Sequence, residues 1–199
     1  MRAIFGEAGT AFVDVVSTLD VATLGDRATS EWTLRELVAH ATRALLTVET
    51  TLAAPIDPDS RSLESAADYF AAAMSIPNVH AGIVQRGRDA ALAVGDDPGR
   101  YAREALDRVL PLVATTALDR VVQHFAGHLR FDEYVATRVV ELTLHTADVQ
   151  LVTGADVAFP SDAAALTRDV LLDLVDRIDP LTVACALSGR AGSRCNVLS

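Results

Sequence analysis

Lysine is missing altogether: all 17 basic side chains are arginine, set against 27 acidic ones, for a formal net charge of −10. The arginines are scattered, so there is no basic patch to hold a phosphate backbone, and an acidic surface repels one. Nucleic acid is therefore not an expected partner. Aromatic residues are scarce at 5%, while alanine, leucine and valine dominate a hydrophobic share of 50%. That balance disfavours a β-sandwich and favours helices packed on helices. Cysteine occurs only at Cys185 and Cys195, too few and too near one end for a disulfide framework. Free thiols in a reducing compartment are the expectation. No run approaches the ~18 apolar residues of a membrane span. The opening stretch from Met1 to Thr10 carries charge and glycine where a secretory leader has an apolar core. A cytoplasmic protein that does not engage a membrane is expected. Dinucleotide, phosphate-loop, serine-nucleophile and C-x-x-C motifs are missing too.

What remains is helical periodicity. The 199 residues suit one domain. Residues 1–180 are expected to form a helical bundle and residues 181–199 a tail packed on it. Phe5, Ala8, Phe12, Val15, Val16 and Leu19 recur at helical spacing. Thr33 and Glu36 form a capping box ahead of Leu34, Leu37, Val38, Ala41, Leu45, Val48 and Leu52, which share one face. Further helices are predicted over 63–75, 79–94, 98–116, 132–153 and 161–178. Pro111 is expected to kink or end the fifth of these seven, and 119–130 is read as an extended loop. The fold class is thus all-α, a four-helix bundle with short extra helices and no sheet larger than a hairpin.

The helix over 132–153 carries the chemistry. At roughly 100° per residue, Arg138, Glu141, His145 and Asp148 form a narrow polar stripe between two apolar flanks. A solvated face is one broad polar arc, whereas a narrow stripe suits a helix lining a polar pocket within a bundle. Glu141 and His145 are spaced so that their side chains project together and can grip one divalent ion. A third ligand must come from another helix, and His40, on the shoulder of its helix beside Leu37, is the best candidate. The residues alone leave plainer readings open. A Glu–His pair at this spacing is also what a surface ion pair looks like, and a histidine on a helix shoulder is commonly a boundary residue. His124 and His128 make a rival pair, but Gly127 lies between them and the pattern is weakly helical, so they read as loop histidines. His80 has no acidic partner and no expected role.

The run from Trp32 through Leu34, Leu37 and His40 to Arg43 resembles the first signature of the mycothiol-dependent maleylpyruvate isomerase family, within the DinB/YfiT-like superfamily. Tyr134 to Gly154, with Arg138, Glu141, His145 and Asp148 along one helix, resembles the second. Ser188-Gly189-Arg190 and Asn196-Val197-Leu198 resemble a tail of its short members. The resemblance implies a DinB-like bundle with a metal on His40, Glu141 and His145. Zinc comes first, and Fe2+ or Ni2+ are alternatives. It also implies mycothiol as thiol cosubstrate, an electrophile as the second substrate, and supporting catalytic roles for Arg138 and Asp148. Two histidines and a carboxylate leave an open position on a tetrahedral ion. A thiol held there as thiolate could add to a conjugated double bond for isomerisation, or complete an S-transfer. The isomerase proper resembles a two-domain protein with a C-terminal sterol-carrier-like domain, for which this chain leaves no room after its last long helix. Thiol chemistry in general is therefore expected, rather than maleylpyruvate in particular. The competing reading is an inactive DinB-like module that binds a small molecule or forms a homodimer.

Overall fold

The pattern of apolar residues along each helix decides which face turns inward. In the computed structural model, which describes residues 1–188, Phe5, Ala8, Phe12, Val15 and Val16 all lie on the buried side of α1 (Arg2–Val16). A 3₁₀ turn at Val21–Thr23 leads toward α2 (Leu34–Ala53). The capping box forms as expected: Thr33 Oγ1 accepts from the Glu36 amide, and Glu36 Oε2 accepts from the Thr33 amide at 2.8 Å. This closes two donors that a helix start leaves open and sets where His40 falls on α2. Replacing Thr33 by alanine is expected to cost about 1 kcal/mol of stability, read as a lower midpoint in urea unfolding with an unchanged slope.

Next come α3 (Ala66–Met74), α4 (Val79–Ala91) and α5 (Pro98–Thr115). Pro111 neither ends α5 nor stops it from reaching Thr115. Pro111 and Asp107, whose carbonyl loses its helical partner to the proline, both face solvent, where water replaces that bond. The stretch read as a loop instead holds an antiparallel hairpin, β1 (Val121–His124) with β2 (Gly127–Arg130), in the register Val121↔Arg130 and His124↔Gly127. Residues 61–63 lie alongside: His128 N donates to Arg61 O and Leu63 N to His128 O, each at 2.9 Å. Gly127 has φ +149° and a Cβ there would run into the Arg61 carbonyl, so only glycine lets the two segments meet.

The hairpin feeds into α6 (Phe131–Thr153), followed by α7 (Ser161–Val175) and α8 (Pro180–Leu187). Four long helices close a ring: α1 packs on α5 and α6, and α2 packs on the same two. This is the four-helix bundle expected from the periodicity. α4 leans on α2, while α3 and α7 lean on α6 and on each other. Surrounded in this way, α6 buries apolar residues on both flanks, with Val135, Val139, Val140, Leu142 and Val149 all at 0% exposure. The apolar run at Leu181 to Leu187, read as tail, is helical, and none of its residues is buried. Cys195 and the Asn196–Leu198 piece lie outside the described residues, as do Gly189 and Arg190. No helix among the described residues is long and apolar enough to cross a membrane.

Candidate functional site

The polar stripe of α6 faces α2 across the bundle seam. His145 Nε2 is 3.3 Å from Glu141 Oε2, and His40 Nε2 is 3.9 Å from the same oxygen. One ligating atom from each residue lies within 4.8 Å of the other two, a group that could hold a metal ion. Bonds of about 2.0–2.1 Å to a tetrahedral ion put neighbouring ligand atoms a little over 3 Å apart, so small side-chain adjustments complete the set. The three side chains are deep in the protein yet keep some accessible surface, 28% for Glu141, because they border a cavity.

Each ligand candidate is held from behind. His145 Nδ1 is 3.0 Å from Asp148 Oδ2, so Nδ1 carries the proton and Nε2 is left as the donor atom toward Glu141. The His40 ring stacks on Trp32 with centroids 4.4 Å apart, and Trp32 Nε1 donates to Val84 O on α4 at 3.3 Å. α4 can come this close because position 87 is glycine: a Cβ would sit 3.0 Å from Trp32 Nε1. His40 Nδ1 is closed off without a hydrogen-bond partner.

The electrostatics follow from burial and neighbours. Burial, and then the charge of His145, push the His40 pKa down to about 3, which keeps the ring neutral, the form that ligates metals. At Glu141 burial opposes ionisation, but the hydrogen bond and charge of His145, with Arg138 and His40 behind them, hold the carboxyl below its ordinary range. At His145 burial opposes the proton, but hydrogen bonds to Asp148 and Glu141 win and raise its pKa. Without a metal, then, a proton on His145 holds the two carboxylates together.

The family model for the mycothiol maleylpyruvate isomerase N-terminal domain matches residues 5–150. The chain belongs to that family. No curated protein and no solved structure matches it. The matched span of this family member runs from α1 nearly to the end of α6 and so contains all three convergent side chains. Its mostly helical architecture is the one a DinB-like bundle requires.

The cavity beside the triad measures about 540 Å3, within the range of small-molecule sites. Arg138 lines it, 6% exposed, with its Nε donating to Thr137 Oγ1 at 3.0 Å and its guanidinium 5.1 Å from the Tyr134 ring centre. Asp148 does not line it and touches only His145 among the site residues. The further lining residues that were not singled out for this cavity from sequence include Arg43, Tyr69, Arg86 and His124. Arg43 was findable, since it follows His40 by three residues and so shares its face. Arg86 and Tyr69 are isolated on other helices, and nothing in the local pattern marks them. His80, for which no role was expected, also lines the cavity. His124 and His128 do not form a pair: Nδ1 of His124 meets the Tyr69 hydroxyl and Nδ1 of His128 meets the Ser60 hydroxyl.

Proposed function

We propose that this protein is a metal-dependent enzyme that activates a low-molecular-weight thiol, mycothiol first, for addition to an electrophile bearing a carboxylate. The observation that carries this reading is the convergence of His40, Glu141 and His145 on a cavity whose other walls present three guanidiniums. Among the described residues, neither Arg43, Arg86 nor Arg138 pairs with a carboxylate; Arg86 meets only the Phe125 ring, and Arg138 meets Thr137, Thr47 and aromatic rings. Burial first, and then repulsion from Arg86, lower the Arg43 pKa, with Arg138 adding to it. Of the three only Arg138 is buried, with Arg43 half-buried and Arg86 exposed. A buried cation without a carboxylate is costly, and an anionic substrate offsets that cost.

His40, Glu141 and His145 would hold the ion, zinc first, although a 2-His-1-carboxylate set also suits Fe2+. A bound divalent ion supplies one thing, a lowered thiol pKa that favours the nucleophilic thiolate. The chain does the rest. Asp148 fixes the tautomer of His145 and acts only through it. Arg138, with Arg43 and Arg86, binds the substrate carboxylate and orients the double bond. The aromatic and aliphatic walls, Trp32, Phe70, Ile83 and Leu144, exclude water from the reacting atoms.

With zinc-loaded protein and mycothiol, carboxylated alkenes should outpace their methyl esters at least about tenfold in kcat/KM, the worth of one charge-assisted hydrogen bond. If a panel of thiols and electrophiles shows no metal-dependent turnover, the chain is an inactive binding or dimeric module instead. A second check needs no activity. Trp32 is the single tryptophan, and its ring stacks on His40 and lies 6.3 Å from that of His145. Titrating in paramagnetic Co2+ should quench its fluorescence to a plateau at one equivalent. A weak, non-saturating response would place the ion elsewhere.

A further inference from the structure

His124 is the one histidine of the cavity that the proposed metal set leaves unused and that holds a defined hydrogen bond. Its Nδ1 lies 2.9 Å from the hydroxyl of Tyr69, a side chain 3% exposed. The proton in that bond can be assigned. Tyr69 has no other hydrogen-bonding acceptor, and the group beside its ring is the Arg138 guanidinium, 5.7 Å from the ring centre, which has only donors to offer. If Nδ1 kept the proton, a buried phenol would have nowhere to donate. Tyr69 therefore donates, Nδ1 accepts, and the ring proton sits on Nε2. Nε2 has no partner in the protein and is not closed off, and His124 lines the cavity. The arrangement leaves a neutral N–H donor free on a residue that borders a cavity walled by cations.

Resting on the reading above, we propose that His124 is a catalytic residue whose Nε2–H stabilises the oxyanion formed when a thiolate adds to a conjugated carbonyl, with Tyr69 as the positioning residue that sets its tautomer. In that step the C–S bond forms at the β-carbon, the C=C pair shifts toward the carbonyl carbon, and the carbonyl π pair moves onto oxygen. No proton is transferred. Collapse of the oxyanion either expels the thiolate with the double bond re-formed after rotation, or ends in protonation at the α-carbon by solvent. A neutral imidazole can do this throughout the physiological range. Burial, and then Arg138, Arg43 and Arg86, keep the His124 pKa at about 3, with Glu141 opposing weakly. Preorganised donors aimed at developing charge are among the largest contributions to catalysis.

Two measurements decide it. In nitrogen-15 spectra of the metal-loaded protein, with the signal assigned through the His124→Gln variant, His124 should be the Nε2–H tautomer and stay neutral down to about pH 5. Tyr69→Phe should convert it to a mixture of tautomers. In turnover, His124→Ala should lower kcat about a hundredfold with metal content and succinate binding unchanged. His124→Gln, whose amide reaches toward the position of Nε2, should recover at least tenfold of that loss. An Nδ1–H tautomer, protonation near the ordinary pKa, or an alanine variant with unaltered kcat overturns the proposal. Turnover that is present but indifferent to His124 overturns this inference alone, whereas a wild-type protein with no metal-dependent turnover overturns the proposed function as well.

Discussion

His145→Ala protein, purified without chelators, should carry no stoichiometric metal, with affinity lowered more than a hundredfold. The loss is large because three protein ligands become two, and even a partner standing behind a ligand is worth about 10–100-fold. The substitution also strands Asp148 and removes the hydrogen bond and charge that offset the burial of Glu141. Glu141 should then take up a proton more readily, which weakens it as a ligand. His124→Ala should keep its metal, since His124 bonds Tyr69 and sits outside the convergent group. Metal analysis of both variants decides the matter. Retention without His145 and loss without His124 would move the centre to the hairpin.

Acid should unfold the metal-free protein well before its carboxylates titrate. Folded His40 and His124 hold off the proton until about pH 3, against an ordinary value of 6.5. Below 6.5 the unfolded chain therefore binds more protons than the folded one, and stability falls as the pH drops. One such histidine contributes up to about 1.4 kcal/mol per pH unit. Two acting together should lower Tm by roughly 5–10 °C per pH unit between pH 6.5 and 4.5. His145 has the opposite sign. Its raised pKa stabilises the fold fully below 6.5, and that contribution is lost as the pH climbs through the raised value. Glu141, held below 4.5, adds to the loss only at more acid pH. Calorimetry of chelator-treated protein should thus show a stability maximum near neutrality, and His124→Gln should roughly halve the acid slope. A Tm that is flat down to pH 4.5 would mean that neither ring is shielded from water.

The long helices were legible because burial imposes a period on them. Phe5, Phe12 and Val16 on α1, and Leu37, Val48 and Leu45 on α2, repeat the spacing that the core demands. The α6 stripe was legible for the same reason in reverse, since polar residues confined to a narrow strip need a polar neighbour. The triad required one leap between helices, from Glu141 and His145 to His40, which the place of His40 on the shoulder of its helix suggested and the family signatures strengthened. The hairpin was not legible. Its strands are four residues each, its turn is Phe125-Ala126 in place of the usual asparagine–glycine, and the decisive contact, Gly127 against Arg61, lies far away in sequence. The cationic wall was hidden for a related reason. Arg43 and Arg86 come from two helices other than that of Arg138, so each reads singly as a surface charge until the bundle closes.

The hairpin separates two jobs along the chain. His40, Glu141 and His145 stand on α2 and α6, whose positions are set by the bundle core. His124 and Phe125 stand on a short loop structure and border both the cavity and an open groove of about 630 Å3 on its far side. The residues that could hold an ion therefore stand on one stretch of scaffold, and part of the cavity wall on another. A library confined to Phe125 and Ala126 could retune which molecules are admitted while the ligand geometry is inherited intact. This protein thus offers a natural seam for directed evolution of substrate range.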